Sequence, residues 1–572
     1  MRVYEAIVKA LESVGVDAAF GGAGENAAGC MVALKHSRKI RPVIVRHEQA
    51  ASFMACGYAI YSNRLGVCFA TAGPGAFNLF SGLAVAMSDS YPVLAISGYS
   101  RVVWQGLGAL NETSGKSRTP DSRAMFAATT KRSYFLDDIA KTCNVVEEAV
   151  NLAYADRPGP VHIHVAEDLT LEGQSVDNYR DIRLDVKPVL PDPAQIAAAA
   201  GAIAEALWQK KLVIALIGFG AVKSGAGPEL QALIERFQIP FATTLDGKGI
   251  ITEDHPLGLG VLCDSGHAAA GKAFVAADFV IAVGNSFAQH ATFNFRPDLL
   301  KGKTLVHVNI SAPEISKAYR ADYGVVGDAK PAIAALNAEL ARLAPPVTPA
   351  QVIKDWHINA PLINLEPNHV HPGQMVQSLS RMLPDDAIVL ADAGAHLAWL
   401  GYFLQLKRGQ HYHKPGSFGP MAWAVNGALG TKMAFPNRPV IVGCGDGCYL
   451  LSGFELMTAV RYNLPVIWII FQDDEYKLIK LYQIEAFRET GLVDFPNPDY
   501  VAYAKACGAQ GFQVNSLNEF EAAFRSALAS GQPTLIDARI TRLAIPHYSP
   551  NPAGLLAAIE ESIEKKLGGG QA

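Results

Sequence analysis

Short apolar runs rich in β-branched residues recur along the chain and alternate with amphipathic stretches of helical period. Strands buried on both faces of a parallel sheet read as continuous apolar runs, so this alternation predicts parallel sheets covered by helices. We therefore predict an α/β protein of three doubly wound parallel-sheet domains. The clearest runs are PVIVRHE, GVCFATAG, PVLAIS, VHIHV, LVIALIGFG, DFVIAVG, TLVHVNI, AIVLADAG, PVIVGCGDG, PVIWIIFQDD and PTLIDAR.

Two proline-rich and weakly patterned stretches divide the chain, one at 186–195 and the other between 344 and 372. At 572 residues the chain is too long for a single hydrophobic core. The predicted domains are an N-terminal domain at 1–180, a middle Rossmann-like domain at 190–345 and a C-terminal domain at 365–555.

The composition argues against nucleic acids and membranes as binding partners. Charged residues make up 18% of the chain, and the formal net charge of −4 gives no basic excess for nucleic acid or an anionic membrane. No apolar run reaches the ~18 residues of a membrane span, and the N-terminus lacks the apolar core of a signal peptide. The eight cysteines lie in apolar segments, as reduced thiols do. We expect a cytoplasmic protein with no nucleic-acid or membrane partner.

The most informative motif is Gly-Asp-Gly at 445–447, which follows a predicted strand and precedes a predicted helix at 452–463. The next predicted strand, 465–471, leads to Asp473. Parallel strands end at the same sheet edge, so Asp446 and Asp473 are expected to approach each other there. Two such carboxylates repel unless a cation lies between them, which favours Mg²⁺ or Ca²⁺ shared with a phosphate group.

The residues of this segment also admit two other interpretations. Cys444 and Cys448 flank the motif, but a Cys-x₃-Cys pair with no second Cys/His pair nearby is more typical of buried structural cysteine than of a metal site. Gly-Asp-Gly alone is commonly just a turn. The acidic residues at the end of the next strand argue against the turn interpretation.

Gly-Asp-Gly followed 27 positions later by Asp473 resembles the diphosphate-binding motif of thiamine-diphosphate-dependent enzymes. The resemblance implies thiamine diphosphate and Mg²⁺ as cofactors, and it makes the third domain the diphosphate-binding domain. It also implies that the metal is held by Asp446, Asp473 and the backbone carbonyl of Glu475. Asp instead of the commoner Asn at 473 is similar to catabolic acetolactate synthases. Further implied cofactor contacts are Gly447, Cys448 and Tyr476.

The resemblance extends to the first domain, which would bind the pyrimidine. RPVIVRHEQAASFMACGYA at 41–59 supplies the family's glutamate at Glu48. The resemblance implies that the Glu48 carboxylate contacts the aminopyrimidine ring and assists removal of the cofactor's C2 proton. Three further stretches are similar to other cofactor-binding segments of the family: TAGPGAFNLFSGLA, DAGAHLAW and GSFGPMAWAVNGALG. The cofactor contacts that this similarity implies are Pro74, Asn78, His396, Gly419 and Met421.

Essentially the whole chain resembles the acetolactate synthase branch, including TTLDGKGIITEDHPLGLG and VHVNISAPEI in the middle domain. The resemblance implies cleavage of 2-oxo acids or 1,2-diketones, with decarboxylation, and ligation of the activated aldehyde to a second carbonyl. The products would be acyloins or acetolactate-type compounds. A pyruvate-oxidase-like flavin oxidoreductase and a diketone C–C hydrolase similar to cyclohexane-1,2-dione hydrolase are the alternatives. A non-catalytic regulatory subunit is disfavoured because Glu48 and Asp446 are intact.

Residues around the expected substrate pocket depart from the family pattern. Lys477 and Lys480 either meet an acidic substrate or form a solvated helix face. The glycine-rich turn GFGAVKSGAG at 218–227 marks either a candidate FAD site, structural or redox, or an empty Rossmann-like domain. The candidate pocket residues are Ala23, Asn26, Asn111, Glu112, Arg118 and Lys477.

The distribution of the predicted site residues also predicts an assembly. Glu48 lies in the first domain and Asp446 in the third, and in the family the active site forms across two chains. The resemblance therefore implies at least a homodimer, with a homotetramer favoured.

Overall fold

The computed structural model describes residues 1–350, 362 and 366–546 and contains three six-stranded sheets in which all strand pairs are parallel. The first sheet has the order β2-β1-β3-β4-β6-β5, with strands β1 (Ala18–Gly21), β2 (Arg41–Ile44), β3 (Gly66–Ala70), β4 (Val93–Tyr99), β5 (Arg132–Leu136) and β6 (Pro160–Ala166). Its helices are α1 (Val3–Ser13), α2 (Ala28–His36), α3 (Glu48–Ser62), α4 (Pro74–Phe77), α5 (Phe80–Asp89), α6 (Ser122–Thr129) and α7 (Thr142–Tyr154).

The second sheet lies in the middle of the chain and has the order β12-β11-β10-β7-β8-β9. Its strands are β7 (Val213–Ile217), β8 (Phe241–Thr243), β9 (Gly258–Val261), β10 (Phe279–Val283), β11 (Thr304–Asn309) and β12 (Tyr323–Val326). Its helices are α8 (Pro193–Trp208), α9 (Phe219–Ser224), α10 (Gly227–Phe237), α11 (Ala268–Ala276) and α12 (Ala329–Leu343).

The third sheet repeats the arrangement of the first, with the order β14-β13-β15-β16-β18-β17. Its strands are β13 (Ile388–Ala391), β14 (His411–His413), β15 (Val440–Gly445), β16 (Val466–Gln472), β17 (Gln510–Val514) and β18 (Thr534–Arg539). Its helices are α13 (Pro372–Met382), α14 (Ala395–Phe403), α15 (Trp423–Ala434), α16 (Asp446–Ser452), α17 (Leu456–Arg461), α18 (Lys477–Phe487), α19 (Tyr500–Ala506) and α20 (Leu517–Ser530).

Successive strand residues belong to different hydrophobic clusters, which confirms the predicted α/β class with helices on both faces. In β3, for example, Cys68 packs in one cluster while Val67 and Phe69 pack in another. Strand side chains alternate between the two sheet faces, so each face has its own core. No helix in the described part of the chain is long and apolar enough to cross a membrane.

The first and third domains share one core, in which α3 lies against α15. A Cβ added to Gly57 would lie 1.9 Å from the Gly427 carbonyl oxygen, and one added to Gly430 would lie 1.8 Å from that of Met54. These glycines therefore allow the two helix backbones to touch. Thr431 adds a hydrogen bond from its hydroxyl to the Gly57 carbonyl, at 2.8 Å. The N-termini of both helices lie next to predicted site residues.

Candidate functional site

The Gly-Asp-Gly motif joins β15 directly to α16. The strand ends at Gly445 and the helix begins at Asp446, so the helix starts six residues before the predicted position of 452. A 3-10 turn at Gly453–Glu455 then separates α16 from α17. In the parallel pairing of β15 with β16, Gly445 lies opposite Phe471. Asp446 and Asp473 therefore both follow the carboxyl ends of adjacent strands, as predicted.

Three donors hold the Asp446 carboxylate in place. It accepts hydrogen bonds from the backbone amides of Gly447 and Asp474 and from the Asn497 side-chain amide, each at 2.8 Å. Burial raises the pKa of this carboxyl above its ordinary value, although the three hydrogen bonds act in the opposite direction. Sequence reasoning missed Asn497, which lies 51 positions away from Asp446 along the chain.

Asp473 belongs to a buried cluster of charged side chains at the same sheet edge. Lys477 Nζ lies 3.6 Å from Asp473 Oδ2 and also contacts Glu475, which forms a second ion pair with Lys480. Burial, together with the carboxylates of Glu475 and Asp446, raises the pKa of Asp473. The lysine side chains are only 7% and 3% exposed. The interpretation of Lys477 and Lys480 as a solvated helix face is therefore wrong.

The donor set at this edge suits a hard cation. Asp446 and Asp473 offer carboxylate oxygens, which Mg²⁺ and Ca²⁺ prefer over nitrogen or sulfur ligands. Within the described residues, no group of three or more His, Cys, Asp or Glu side chains is placed to hold a metal ion unaided. A cation here would need further oxygen atoms, such as a backbone carbonyl and a phosphate group.

Asp392, which follows β13, organises the neighbouring segment. Its carboxylate accepts hydrogen bonds from the backbone amides of Ala422, Ala424 and Val425 at 2.9, 2.8 and 3.2 Å, and so fixes the start of α15. Burial raises the pKa of Asp392 to about 6. Asp392 opens the DAGAHLAW segment, but no pattern in the sequence marks it, because its partners lie about thirty residues further along the chain.

His396 and Cys448 lie beside the same strand ends. His396 Nε2 is 2.9 Å from the Asp392 carbonyl, and burial lowers the pKa of this imidazole to about 4, so it is neutral at pH 7. A Cβ added to Gly445 would lie 3.2 Å from His396 Nδ1. The Cys448 thiol donates to the Ala393 carbonyl at 2.9 Å, and burial raises its pKa. Both side chains adjoin the motif, and Cys448 is a buried thiol.

Gly447, Met421 and Tyr476 meet on the other side of the motif. A Cβ added to Gly447 would lie 2.5 Å from the Tyr476 ring and 3.5 Å from Met421 Cε, so a side chain at 447 would collide with the tyrosine. The Tyr476 ring packs against Phe495, with ring centroids 4.6 Å apart. Gly419 lies nearby in sequence, is exposed and has a φ of +59°, a conformation that favours glycine.

A second group of predicted residues surrounds Glu48, the first residue of α3. The Asn78 side-chain amide donates to Glu48 Oε2 at 2.9 Å. Added Cβ atoms at Gly22 and Gly75 would lie 2.6 and 3.0 Å from Glu48 Oε1, so both turns pass close to the carboxylate. Pro74 begins α4 in the second of these turns and is exposed. The structure thus brings Glu48, Asn78 and both turns together.

Some of the candidate pocket residues adjoin this group, and the others lie elsewhere, Lys477 among them in the charge cluster of the third domain. Asn111 adopts a φ of +57° and packs on the turn at Gly73, while Ala23 is exposed in the turn after Gly22. Asn26 directs its side-chain amide to Glu167 at 3.1 Å. Glu112 accepts hydrogen bonds from amides of its own loop, and Arg118 is exposed. Asn111 and Ala23 thus adjoin the two turns that pass close to Glu48.

Models of three thiamine pyrophosphate enzyme domains match the chain: the N-terminal TPP binding domain at 1–118, the central domain at 200–336 and the C-terminal TPP binding domain at 392–538. The probable acetolactate synthase large subunit of Methanocaldococcus jannaschii is 32% identical, over 94% of this chain and 91% of that protein. This chain belongs to the thiamine pyrophosphate enzymes. It is a thiamine-diphosphate-dependent enzyme of the acetolactate synthase type.

Other relatives cover the chain to a similar extent. The acetolactate synthase large subunit of Parasynechococcus marenigrum is 31% identical, over 94% of this chain and 87% of its own length. The acetolactate synthase isozyme 2 large subunit of Escherichia coli is 29% identical, over 94% of this chain and 95% of its own length. The names of these three relatives describe each of them as a large subunit.

The thiamine pyrophosphate enzyme also contains a cavity of about 490 Å³ where its three domains meet. The cavity extends from the carboxyl edge of the middle sheet, at Gly218 and Asn285, to Gly416 and Gly419 in the third domain. Lys223 lines it, and burial lowers the pKa of this lysine to about 7. Asn285 is buried and its side-chain nitrogen has no hydrogen-bond partner among the described residues. The cavity therefore offers polar groups to a ligand.

Proposed function

We propose that the protein is a cytoplasmic enzyme that uses Mg²⁺ and thiamine diphosphate to decarboxylate a 2-oxo acid and to ligate the activated acyl unit to a second carbonyl compound. The product would be an acetolactate-type acid or an acyloin. One observation carries the proposal: the chain holds a Glu48–Asn78 group and an Asp446–Asp473 group with the chemistry that the two ends of this cofactor require. The acetolactate synthase relatives support the reaction, and the eight free cysteines, seven of them buried, support a reducing compartment.

The roles of the residues follow from their chemistry. Asp446, Asp473 and the carbonyl of Glu475 would hold Mg²⁺ against the diphosphate at the start of α16. Glu48 would hold or release a proton at the pyrimidine ring. When bound, the cofactor supplies a nucleophilic carbon that adds to the substrate carbonyl. Met421 would support the cofactor as an apolar contact, and neutral His396 would lie beside the diphosphate.

Lys477 and Lys480 would serve charge balance instead of substrate recognition. Asp446, Asp473, Glu475 and Asp494 would carry four negative charges, and the two lysines paired within this cluster would carry two positive ones. A divalent cation would therefore offset the remaining negative charge beside a diphosphate. Since both ammonium groups already have buried partners, we propose that the substrate carboxylate is bound elsewhere.

The two groups of residues would complete one active site only between two copies of the chain. The contacts of Glu48 described above all come from the first domain, and those of Asp446 all come from the third. Exposed apolar residues accompany both groups: Val103, Leu107 and Leu110 precede Asn111, and Ile479 and Tyr482 follow Tyr476. A second copy would cover them, and we propose a homodimer as the minimum assembly and a homotetramer as the complete one.

Mixing two inactive variants tests this assembly. Glu48→Gln and Asp446→Ala subunits, co-expressed with different tags and purified through both, are expected to regain activity, because one site per dimer then contains both native residues. Dimers carrying the same variant twice are the control. If each site formed within one chain, every site of the mixed dimer would be defective and the mixture would stay as inactive as its parents.

A flavin-dependent oxidation is the second candidate, and the three-domain cavity favours it. We propose that FAD would occupy this cavity, with Lys223 and Asn285 as polar contacts. A structural flavin would keep its absorption during turnover, whereas a redox flavin would bleach with substrate and recover with oxygen or a quinone.

A product analysis separates the candidate reactions. The holoenzyme should be given 2-oxo acids and 1,2-diketones separately, with CO₂ and the organic product measured together. CO₂ with a ligated product supports the proposed function. CO₂ with a carboxylic acid and a reduced acceptor supports the oxidoreductase, and cleavage of a diketone without CO₂ supports the C–C hydrolase.

A further inference from the structure

Glu455 joins the third domain to the start of the helix that carries Glu48. One carboxylate oxygen of Glu455, Oε1, accepts hydrogen bonds from the backbone amides of Arg46 at 2.8 Å and His47 at 3.1 Å. The other oxygen accepts from the Thr458 hydroxyl. The residue is only 1% exposed. The two amides that Glu455 binds therefore belong to the residues directly before Glu48.

These hydrogen bonds act where the chain enters α3. His47 is the N-cap of the helix, and its side chain accepts from the Gln49 amide at 3.2 Å. Amides at a helix start have no partner within the helix, so an external acceptor fixes the path of the chain there. Three residues earlier, the Ile44 amide donates to the Tyr462 hydroxyl at 2.9 Å. The entry to α3 is thus held by residues of another domain.

Two different parts of the protein therefore determine the position of the Glu48 carboxylate. Asn78, in the first domain, binds the carboxylate itself. Glu455, in the third domain, holds the backbone from which that side chain extends. Glu455 also ends the 3-10 turn that follows α16, the helix that begins at Asp446.

We infer that Glu455 is a positioning residue, whose hydrogen bonds to Arg46 and His47 hold the start of α3 so that Glu48 meets the pyrimidine of the cofactor. The inference rests on the proposed function, which assigns that contact to Glu48. A displacement of about 1 Å at a reacting group can cost about 10²-fold in rate, so loss of this support is expected to be visible in the proton-transfer step.

Two conservative variants separate hydrogen bonding from charge. Glu455→Gln keeps the length of the side chain and one acceptor oxygen for both amides, and its new amino group can donate to the Thr458 oxygen. Glu455→Asp keeps the charge but is one methylene too short to reach the same amides. Positioning predicts that the Gln variant resembles the wild type and that the Asp variant is impaired. A role for the negative charge itself predicts the opposite.

The first readout needs no cofactor. In the apo protein, backbone amide hydrogen exchange of the peptide covering 41–53 is expected to be faster in Glu455→Asp than in the wild type, and unchanged in Glu455→Gln. The second readout is exchange of the cofactor's C2 proton in the loaded enzyme, expected to slow by about 10²-fold in the Asp variant. Thiamine diphosphate affinity is expected to change far less.

Thr431→Val is the matched control, because it removes another hydrogen bond between the same two domains, far along α3 from Glu48. It should leave both readouts at their wild-type values. The inference would be overturned if Glu455→Asp showed wild-type rates of both backbone amide exchange and C2 proton exchange. It would also be overturned if the Asp and Gln variants departed from the wild type to the same extent. If the wild type neither binds thiamine diphosphate nor exchanges its C2 proton, the proposed function itself fails, which is a distinguishable result.

Discussion

Glu48→Gln is expected to slow exchange of the C2 proton of bound thiamine diphosphate, and turnover with it, by about 10²–10⁴-fold. The substitution keeps the size of the side chain and an oxygen that can accept the 2.9 Å hydrogen bond from Asn78. It removes the carboxylate that would share a proton with the pyrimidine ring. NMR of the bound cofactor after transfer into deuterated water measures this step directly.

Cofactor affinity should change far less than the exchange rate in Glu48→Gln, because the diphosphate would be bound at the edge of the third sheet, where Asp446 follows β15. The matched control is Glu25→Gln, which makes the same change at an exposed glutamate in the neighbouring turn. That variant should exchange the proton at the wild-type rate. Equal exchange rates in Glu48→Gln and the wild type would show that Glu48 does not take part in the proton transfer.

Asp446→Ala is expected to abolish thiamine diphosphate binding while the fold is retained. The change removes a proposed metal ligand and leaves three donors, from Gly447, Asp474 and Asn497, without their shared acceptor. Asp473 would then face the diphosphate with no cation between them. Calorimetric titration with thiamine diphosphate and Mg²⁺ measures the loss, and circular dichroism checks the fold.

Asp499→Ala provides the control for this variant. Asp499 caps α19 by accepting from the Ala502 amide at 2.9 Å, so its loss should cost about 1 kcal/mol of stability without affecting the cofactor. Wild-type cofactor affinity in Asp446→Ala would contradict the assignment of the diphosphate site to this sheet edge.

The fold class was predictable because the strands at the sheet centres are buried on both faces and leave continuous apolar runs. The strands that the pattern did not reveal are mostly short and lie at or near sheet edges, such as β9, β12, β14 and β17. β12 and β17 are only partly buried, and β9 and β14 have only four and three residues, so their sequences carry a weak apolar signal. β1 is internal but has only four residues, two of them alanine, which do not distinguish a strand from a helix.

The parts of the candidate site that could be predicted are those where a sequence motif indicates both the reactive residue type and its place in the fold. Asp446 and Asp473 could be placed together because parallel strands end at one edge. Asp392, Asn497 and Glu455 could not, because their partners lie on elements distant in sequence and their residue types are ordinary for helix caps and loops. The burial of Lys477 and Lys480 depends in the same way on tertiary ion pairs with Glu475, which no periodicity reveals.

The most direct test of the central claim is a comparison of apo and reconstituted enzyme acting on single 2-oxo acids. Dialysis against a chelator should remove Mg²⁺ and thiamine diphosphate together, and adding both back should restore activity. We predict that at least one 2-oxo acid then yields CO₂ and a product with a new carbon–carbon bond, and that neither forms when either cofactor is omitted. Release of CO₂ by the apo enzyme, or no carbon–carbon bond formation from any 2-oxo acid by the fully loaded enzyme, would contradict the account.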